Sequence, residues 1–130
     1  MAEKKTTKSK KKTLQQTSSG SIYIQATYNN TIVTATDTNG NTLGWTSAGH
    51  CGFKGPKKAT PYASSVVIRQ LGEKMAPVGL KDVHVFVTGV GAGRDSAVRS
   101  LNASGFNVLS IKDLTPIPHN GCRAPKSRRM

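Results

Sequence analysis

The sequence predicts an α/β fold in which a mixed β-sheet carries packed helices, flanked by basic extensions at both ends. Three observations predict it. Residues 21–46 hold three short alternating segments separated by Asn- and Gly-bearing turns, residues 61–75 carry apolar side chains at helical spacing, and residues 83–114 run strand, glycine loop, helix, strand. Short turns make the first half antiparallel, and the βαβ unit of about thirty residues makes the second half parallel.

Each element has a local cause. In residues 21–27, Ile22, Ile24 and Ala26 recur on one face, and residues 31–36 alternate Ile32 and Thr34 against Val33 and Ala35. Asn29-Asn30 supplies the turn between them. Asn39-Gly40, within residues 37–41, suits a hairpin leading to a third strand over 42–46. Residues 47–59, with three Gly, one Pro and three Lys, have no apolar period and form a loop long enough to suggest a function. Thr60 is a suitable N-cap and Pro61 fits the first helical position. Ala63, Val67, Leu71 and Met75 continue that helix until Pro77 and Gly79 end it. Residues 83–88 form a strand, 89–93 a glycine turn, 95–104 a helix closed by Gly105, and 106–114 a last strand. Beyond Thr115, Pro116, Pro118, Gly121 and Pro125 exclude regular structure and leave an extended arm.

A chain of 130 residues suits one hydrophobic core. The expected organisation is a basic flexible extension over 1–19, a single RNA-binding α/β domain over 20–115 and an extended basic tail over 116–130. Nineteen Lys and Arg against six acidic residues give a net charge of +13, which favours a polyanionic partner through counterion release. Much of the excess is terminal. Residues 1–13 hold six Lys against Glu3, and residues 119–130 hold Arg123, Lys126, Arg128 and Arg129 with no acid. Either tail alone could be a solvated arm, but two of them on a basic core favour RNA. No run of eighteen apolar residues and no secretory signal is present, so no membrane association is expected. Cys51 and Cys122 are read as reduced thiols, consistent with a cytoplasmic setting.

Two internal segments could carry recognition chemistry. Gly89, Gly91, Gly93 and Arg94 lie between a strand and a helix, where backbone amides and a helix N-terminus can meet a phosphate. The same residues would also serve as a tight turn without ligand; Arg94, with its forked donors, favours the phosphate. The segment fits neither the dinucleotide fingerprint nor the P-loop pattern. Lys54, Lys57 and Lys58 surround Phe53 in the long loop, suited to phosphate contact with base or ribose packing, although a lone Phe is also common core filler. Trp45 and Tyr62 are read as structural.

Metal binding and catalysis find little support. His119 and Cys122 could join His50 and Cys51, but adjacent ligands at 50 and 51 would not aim at one tetrahedral zinc, and a Cys51–Cys122 disulfide is equally disfavoured. Asp37, Asp82, Asp95 and Asp113 stand singly at turns and element starts, where each has a structural reason. No enzyme activity and no cofactor are expected.

Several motifs carry a resemblance. Tyr28-Asn29-Asn30-Thr31, Gly44-Trp45, Gly52-Phe53-Lys54-Gly55, Thr60-Pro61-Tyr62-Ala63, Gly93-Arg94 and the run from Thr115 through Pro116, Ile117, Pro118, His119, Asn120, Gly121 and Cys122 to Arg123 resemble, in order and spacing, the bacterial-type small-subunit ribosomal protein eleven family over residues 20–129. The resemblance implies a ribonuclease H-like fold without catalytic carboxylates, placed on the platform of the small ribosomal subunit. It implies binding to small-subunit ribosomal RNA, bridging several RNA helices and bordering the cleft where a messenger leader pairs. Implied neighbours are small-subunit proteins seven and eighteen, with messenger RNA nearby and no homo-oligomer. The RNA-contacting positions it implies are Asn29, Asn30, Lys54, Lys57, Lys58, the loop from Gly89 to Arg94, and the tail with His119, Asn120, Gly121, Arg123, Lys126, Arg128 and Arg129; Arg99 on the second helix is a further candidate. Val90, Ala92, Ala124 and Ser127 depart from the usual family residues, leaving the glycine loop and tail less stiff and the tail one charge weaker.

Overall fold

Hairpin turns, one capped helix and one βαβ unit generate the architecture. The computed structural model describes residues 16–127. The elements are β1 (Ser19–Ala26), β2 (Thr31–Asp37), β3 (Thr42–Ser47), a 3-10 turn (Gly55–Ala59), α1 (Pro61–Met75), β4 (Asp82–Gly89), α2 (Gly93–Ala103) and β5 (Asn107–Asp113). The strands form one sheet in the order β3-β2-β1-β4-β5, antiparallel from β3 to β1 and parallel from β1 to β5. The expected mixed α/β sheet with packed helices is therefore what the chain forms.

Both helices pack on one face of the sheet and against each other. Ile22, Ile24, Val33, Val83, Val85 and Val87 point from the sheet into this layer, and Val67, Ile68, Leu71 and Leu101 meet them from the helices. All ten are fully or almost fully buried, and each such side chain contributes on the order of 1.5–3 kcal/mol by leaving water. The other face of the sheet is open, and Tyr23, Gln25 and His84 are exposed there.

The differences from the sequence reading have local explanations. α2 begins at Gly93, earlier than 95, because Ala92 takes the N-cap position and Asp95 sits in the first turn near the positive helix end. Phe106 lies outside β5 and is buried instead, its amide bonded to Leu101 O (3.1 Å) at the end of α2. The loop over 47–59 is partly ordered. Its 3-10 turn runs into Thr60, whose Oγ1 donates to Lys57 O (2.8 Å) and accepts from the Ala63 amide (3.3 Å).

Candidate nucleic-acid interface

Strand register decides which of the candidate residues meet. Ala26 pairs with Thr31 on one side and Gly89 on the other, so the end of β1, the start of β2 and the end of β4 lie together. Ser47 pairs with Ile32 and Asp113 with Val87, which brings the ends of β3 and β5 to the same edge. Both helices start there as well: Ser64 on α1 shares a hydrogen bond with Thr31 (Oγ–Oγ1 3.3 Å), and Ser96 on α2 donates to Pro61 O (2.8 Å). The turn with Asn29 and Asn30, the loop with Lys54, Lys57 and Lys58, the glycine loop and the root of the tail thus converge on one end of the sheet.

Local bonding shapes each of these segments. Thr27 N–H donates to Asn30 O (2.8 Å), Asn30 N–H donates back to Thr27 Oγ1 (3.0 Å), and Asn30 Oδ1 accepts from Thr31 N–H (2.9 Å). Asn30 therefore holds the turn with its side chain, while Tyr28 and Asn29 are presented outward. The long loop is anchored by Ala48 N–H to Thr31 O (3.1 Å) and Phe53 N–H to Ala48 O (3.1 Å). Lys54 and Lys57 are exposed and Lys58 is half-buried. Phe53 packs partly against the core and meets the edge of Tyr62 at 6.0 Å, so it works as filler and not as a free stacking ring. Tyr62 and Trp45, read as structural, are both largely exposed; Trp45 lies beside His50 (5.2 Å) and near Lys74 Nζ (5.9 Å).

Packing explains the glycine loop. A Cβ on Gly91 would come within 2.3 Å of Thr27 O, and one on Gly93 within 1.9 Å of Ser64 Oγ and 2.7 Å of Thr31 Oγ1. Gly89 has φ +98, and a Cβ there would meet Ala26 O at 1.9 Å. Gly91 N–H is bonded to Ala26 O (3.2 Å) and Gly89 N–H to Thr115 Oγ1 (3.1 Å). The close-packed turn is thus realised, and it seats α2 with its N-terminus at the basic edge.

Arg94 forms a latch that sequence reasoning does not anticipate. Its Nη1 donates to Gly89 O (2.8 Å) and its Nη2 to Asp113 Oδ2, clasping the glycine loop to the end of β5. The Arg94 guanidinium, followed by hydrogen bonds from Thr115, holds the Asp113 carboxyl far below the ordinary carboxylate range. No short-range motif marks this pair, since the partners are nineteen residues apart. Arg99 is exposed on α2, beside Asp95 and Ser96, in a shallow groove that also includes Pro61 and Ala92.

Charge is unevenly spread over the two ends. Asp37, Glu73 and Asp82 lie at or toward the opposite end together with Lys74 and Lys81, while at the basic end Asp113 is paired with Arg94 and the exposed Asp95 stands in the first turn of α2. Asp37 accepts from the Asn39 and Asn41 amides (2.9 and 2.8 Å) and from Asn41 Nδ2 (3.1 Å), the last chief among the bonds that lower its pKa. Asp82 accepts from Asn107 Nδ2 (3.0 Å). These carboxylates serve turns and strand ends. Among the described residues, no three His, Cys, Asp or Glu are grouped to hold a metal, Cys51 and Cys122 are free, and no helix is long and apolar enough to cross a membrane.

The tail leaves the basic edge at Thr115. His119, Asn120, Gly121, Arg123 and Lys126 are exposed and irregular, with Asn120 in the left-handed region (φ 60), which Asn tolerates better than most residues. Arg128 and Arg129, like the Lys-rich residues 1–13, lie outside the described residues.

Comparison with known proteins agrees with this arrangement of motifs. The model of the family "Ribosomal protein S11" matches residues 20–129. Among similar proteins, the small ribosomal subunit protein uS11 of Nitratidesulfovibrio vulgaris is 52% identical over 121 residues, covering 93% of this chain and 94% of its own length. That of Borreliella burgdorferi is 51% identical over 130 residues, with full coverage of both chains. A third, from Psychromonas ingrahamii, is 50% identical over 124 residues, covering 95% and 96%. With its fold, its motif order and near-complete coverage all in agreement, the chain belongs to the ribosomal protein S11 family.

Proposed function

We infer that the chain is a structural, non-enzymatic constituent of the small ribosomal subunit that binds small-subunit ribosomal RNA with the basic edge of its sheet and with its tails. The observation that carries this reading is the convergence of Asn29, the loop lysines, two helix N-termini and the tail root on one edge. Lys54, Lys57 and Lys58 would neutralise phosphates, and the positive ends of α1 and α2 would add to the field they meet.

The finer reading assigns the RNA contacts to Asn29, Asn30, Lys54, Lys57, Lys58, the loop from Gly89 to Arg94, Arg99, and the tail residues His119, Asn120, Gly121, Arg123, Lys126, Arg128 and Arg129. The geometry supports different roles within that set. Asn30 and the glycines shape the backbone, Asn29, Lys54, Lys57 and Arg99 face solvent, Lys58 is half-buried, and Arg94 holds the loop against β5. Such an edge, with a long arm attached, suits a clamp that joins separate RNA helices. The subunit platform, the border with the messenger leader cleft and contact with small-subunit proteins seven and eighteen belong to the same proposal.

Sedimentation of a lysate through a sucrose gradient after a high-salt wash tests it, with this protein followed by mass spectrometry. Stoichiometric retention in the small-subunit peak is expected. Recovery only among free proteins would overturn the reading in favour of an unassembled RNA-binding protein.

A further inference from the structure

The face of the sheet opposite the helices carries a feature that the basic edge does not use. Tyr23 on β1, the central strand, and Phe86 on the adjacent β4 are direct register partners, and their rings stack at 5.0 Å with planes 17° apart. Tyr23 is 40% exposed despite its position on a central strand. Following the register outward, Thr34 stands beside Tyr23 on β2 and the exposed Lys112 stands beside Phe86 on β5. The neighbouring positions on this face include Ser21, Gln25, His84, Thr88 and Ser110, all able to hydrogen-bond, with Nδ1 of His84 2.7 Å from Ser110 Oγ, together with the exposed Ile32 beside Gln25 and a third exposed aromatic, Trp45, beside Thr34 on β3. The one acidic strand position here is Asp82, at the start of β4, already bonded to Asn107 Nδ2.

We propose that this face is a base-stacking platform for single-stranded RNA, with Tyr23 and Phe86 as the stacking rings and Lys112 as the phosphate contact. The proposal rests on the reading of the chain as an RNA-binding protein and adds a second surface to it. A stacked pair on adjacent strands leaves the outer face of each ring turned toward the next strand, where small Thr34 leaves space beside Tyr23 and Lys112 supplies a cation beside Phe86. A flat nucleobase continues such a stack irrespective of its identity, because every base has a π-face. Charge complementarity selects the occupant: a chain of net charge +13, with Lys112 at the end of this row and its one acid occupied, fits a polyanion with aromatic bases better than an apolar protein surface. Cross-strand aromatic packing by itself explains why the rings touch, but not why Tyr23 and Trp45 both stay open to solvent in one row of an acid-poor face.

The test uses the full chain and a short unstructured adenine- and uracil-containing RNA, with affinity read by fluorescence anisotropy over a series of salt concentrations. Tyr23→Leu and Phe86→Leu retain apolar cross-strand packing and remove the π-face. Each is expected to weaken binding by about 5- to 100-fold while the salt dependence stays unchanged, since stacking releases no counterions. Circular dichroism and a urea midpoint verify folding, and ultraviolet cross-linking of the unmodified chain gives a readout independent of any variant. Cross-links on the peptides bearing Tyr23 or Phe86 support the platform. Cross-links confined to the 47–59 loop and the tail, or leucine variants that bind within twofold of the parent, overturn it. A Lys54→Ala/Lys57→Ala/Lys58→Ala variant separates the two failures. If it loses binding and the leucine variants do not, the platform alone falls; if the parent chain binds no RNA, the broader reading falls with it.

Discussion

At the scale of single residues, Arg94 shows how a side chain can be singled out from the sequence for a phosphate while its partner within the fold stays hidden. Its place after a glycine loop is legible in the sequence, but the Asp113 carboxylate becomes its neighbour only when β5 pairs in parallel with β4. A carboxylate whose folded pKa is depressed contributes stability above its unfolded value, near 3.8, and that contribution is lost as pH falls toward the folded value. Asp113→Asn is therefore expected to lower the urea midpoint at pH 7, with the gap from the parent chain narrowing steadily below about pH 4. Equal midpoints at neutral pH would mean that the latch adds nothing to folding. Asp37 follows the same sign, its depressed carboxyl resting chiefly on the Asn41 amide side chain, so part of the parent chain's acid sensitivity survives in the Asp113 variant.

At the scale of elements, the helices and strands were readable where a local cap or alternation specifies them. Thr60 and Pro61 mark the start of α1, and Ile22, Ile24, Val83, Val85 and Val87 reveal the inward phase of β1 and β4. The start of α2 was not readable, because Ala92 offers no capping side chain and the helix is positioned by contact. Gly93 sits against the buried hydroxyls of Ser64 and Thr31, so the α1–α2 junction depends on a missing side chain. Gly93→Ala is expected to destabilise the fold by about 1–3 kcal/mol through overpacking. The same change in a Ser64→Ala background should cost less, because the nearer hydroxyl it strikes is gone, although Thr31 Oγ1 at 2.7 Å and the Cβ of residue 64 at 3.2 Å still confine it. A double-mutant cycle from urea denaturation measures the coupling, and additive effects would show that the junction relaxes elsewhere.

At the scale of the whole molecule, the sequence reveals how much positive charge is present but not that the loop lysines and Arg94 are brought to one edge. Lys54, Lys57, Lys58 and Arg94 are separated by up to forty residues of chain, and only the sheet register aligns their segments. The tail starts from that edge through the bond between Thr115 Oγ1 and the Gly89 amide, so folded cations and arm can act on one continuous polyanion. If they do, their contributions to counterion release add. Removing residues 119–130, with four Arg and Lys, should reduce the slope of log affinity against log salt for structured RNA by about 3–4, taking roughly 0.7–0.9 per neutralised phosphate. Replacing the three loop lysines by Ala should reduce it by a further 2–3. Filter binding across salt concentrations distinguishes this from a tail that contributes only non-ionic contacts. In that case truncation would shift all affinities by a constant factor and leave the slope unaltered, and phosphate neutralisation would reside in the folded edge alone.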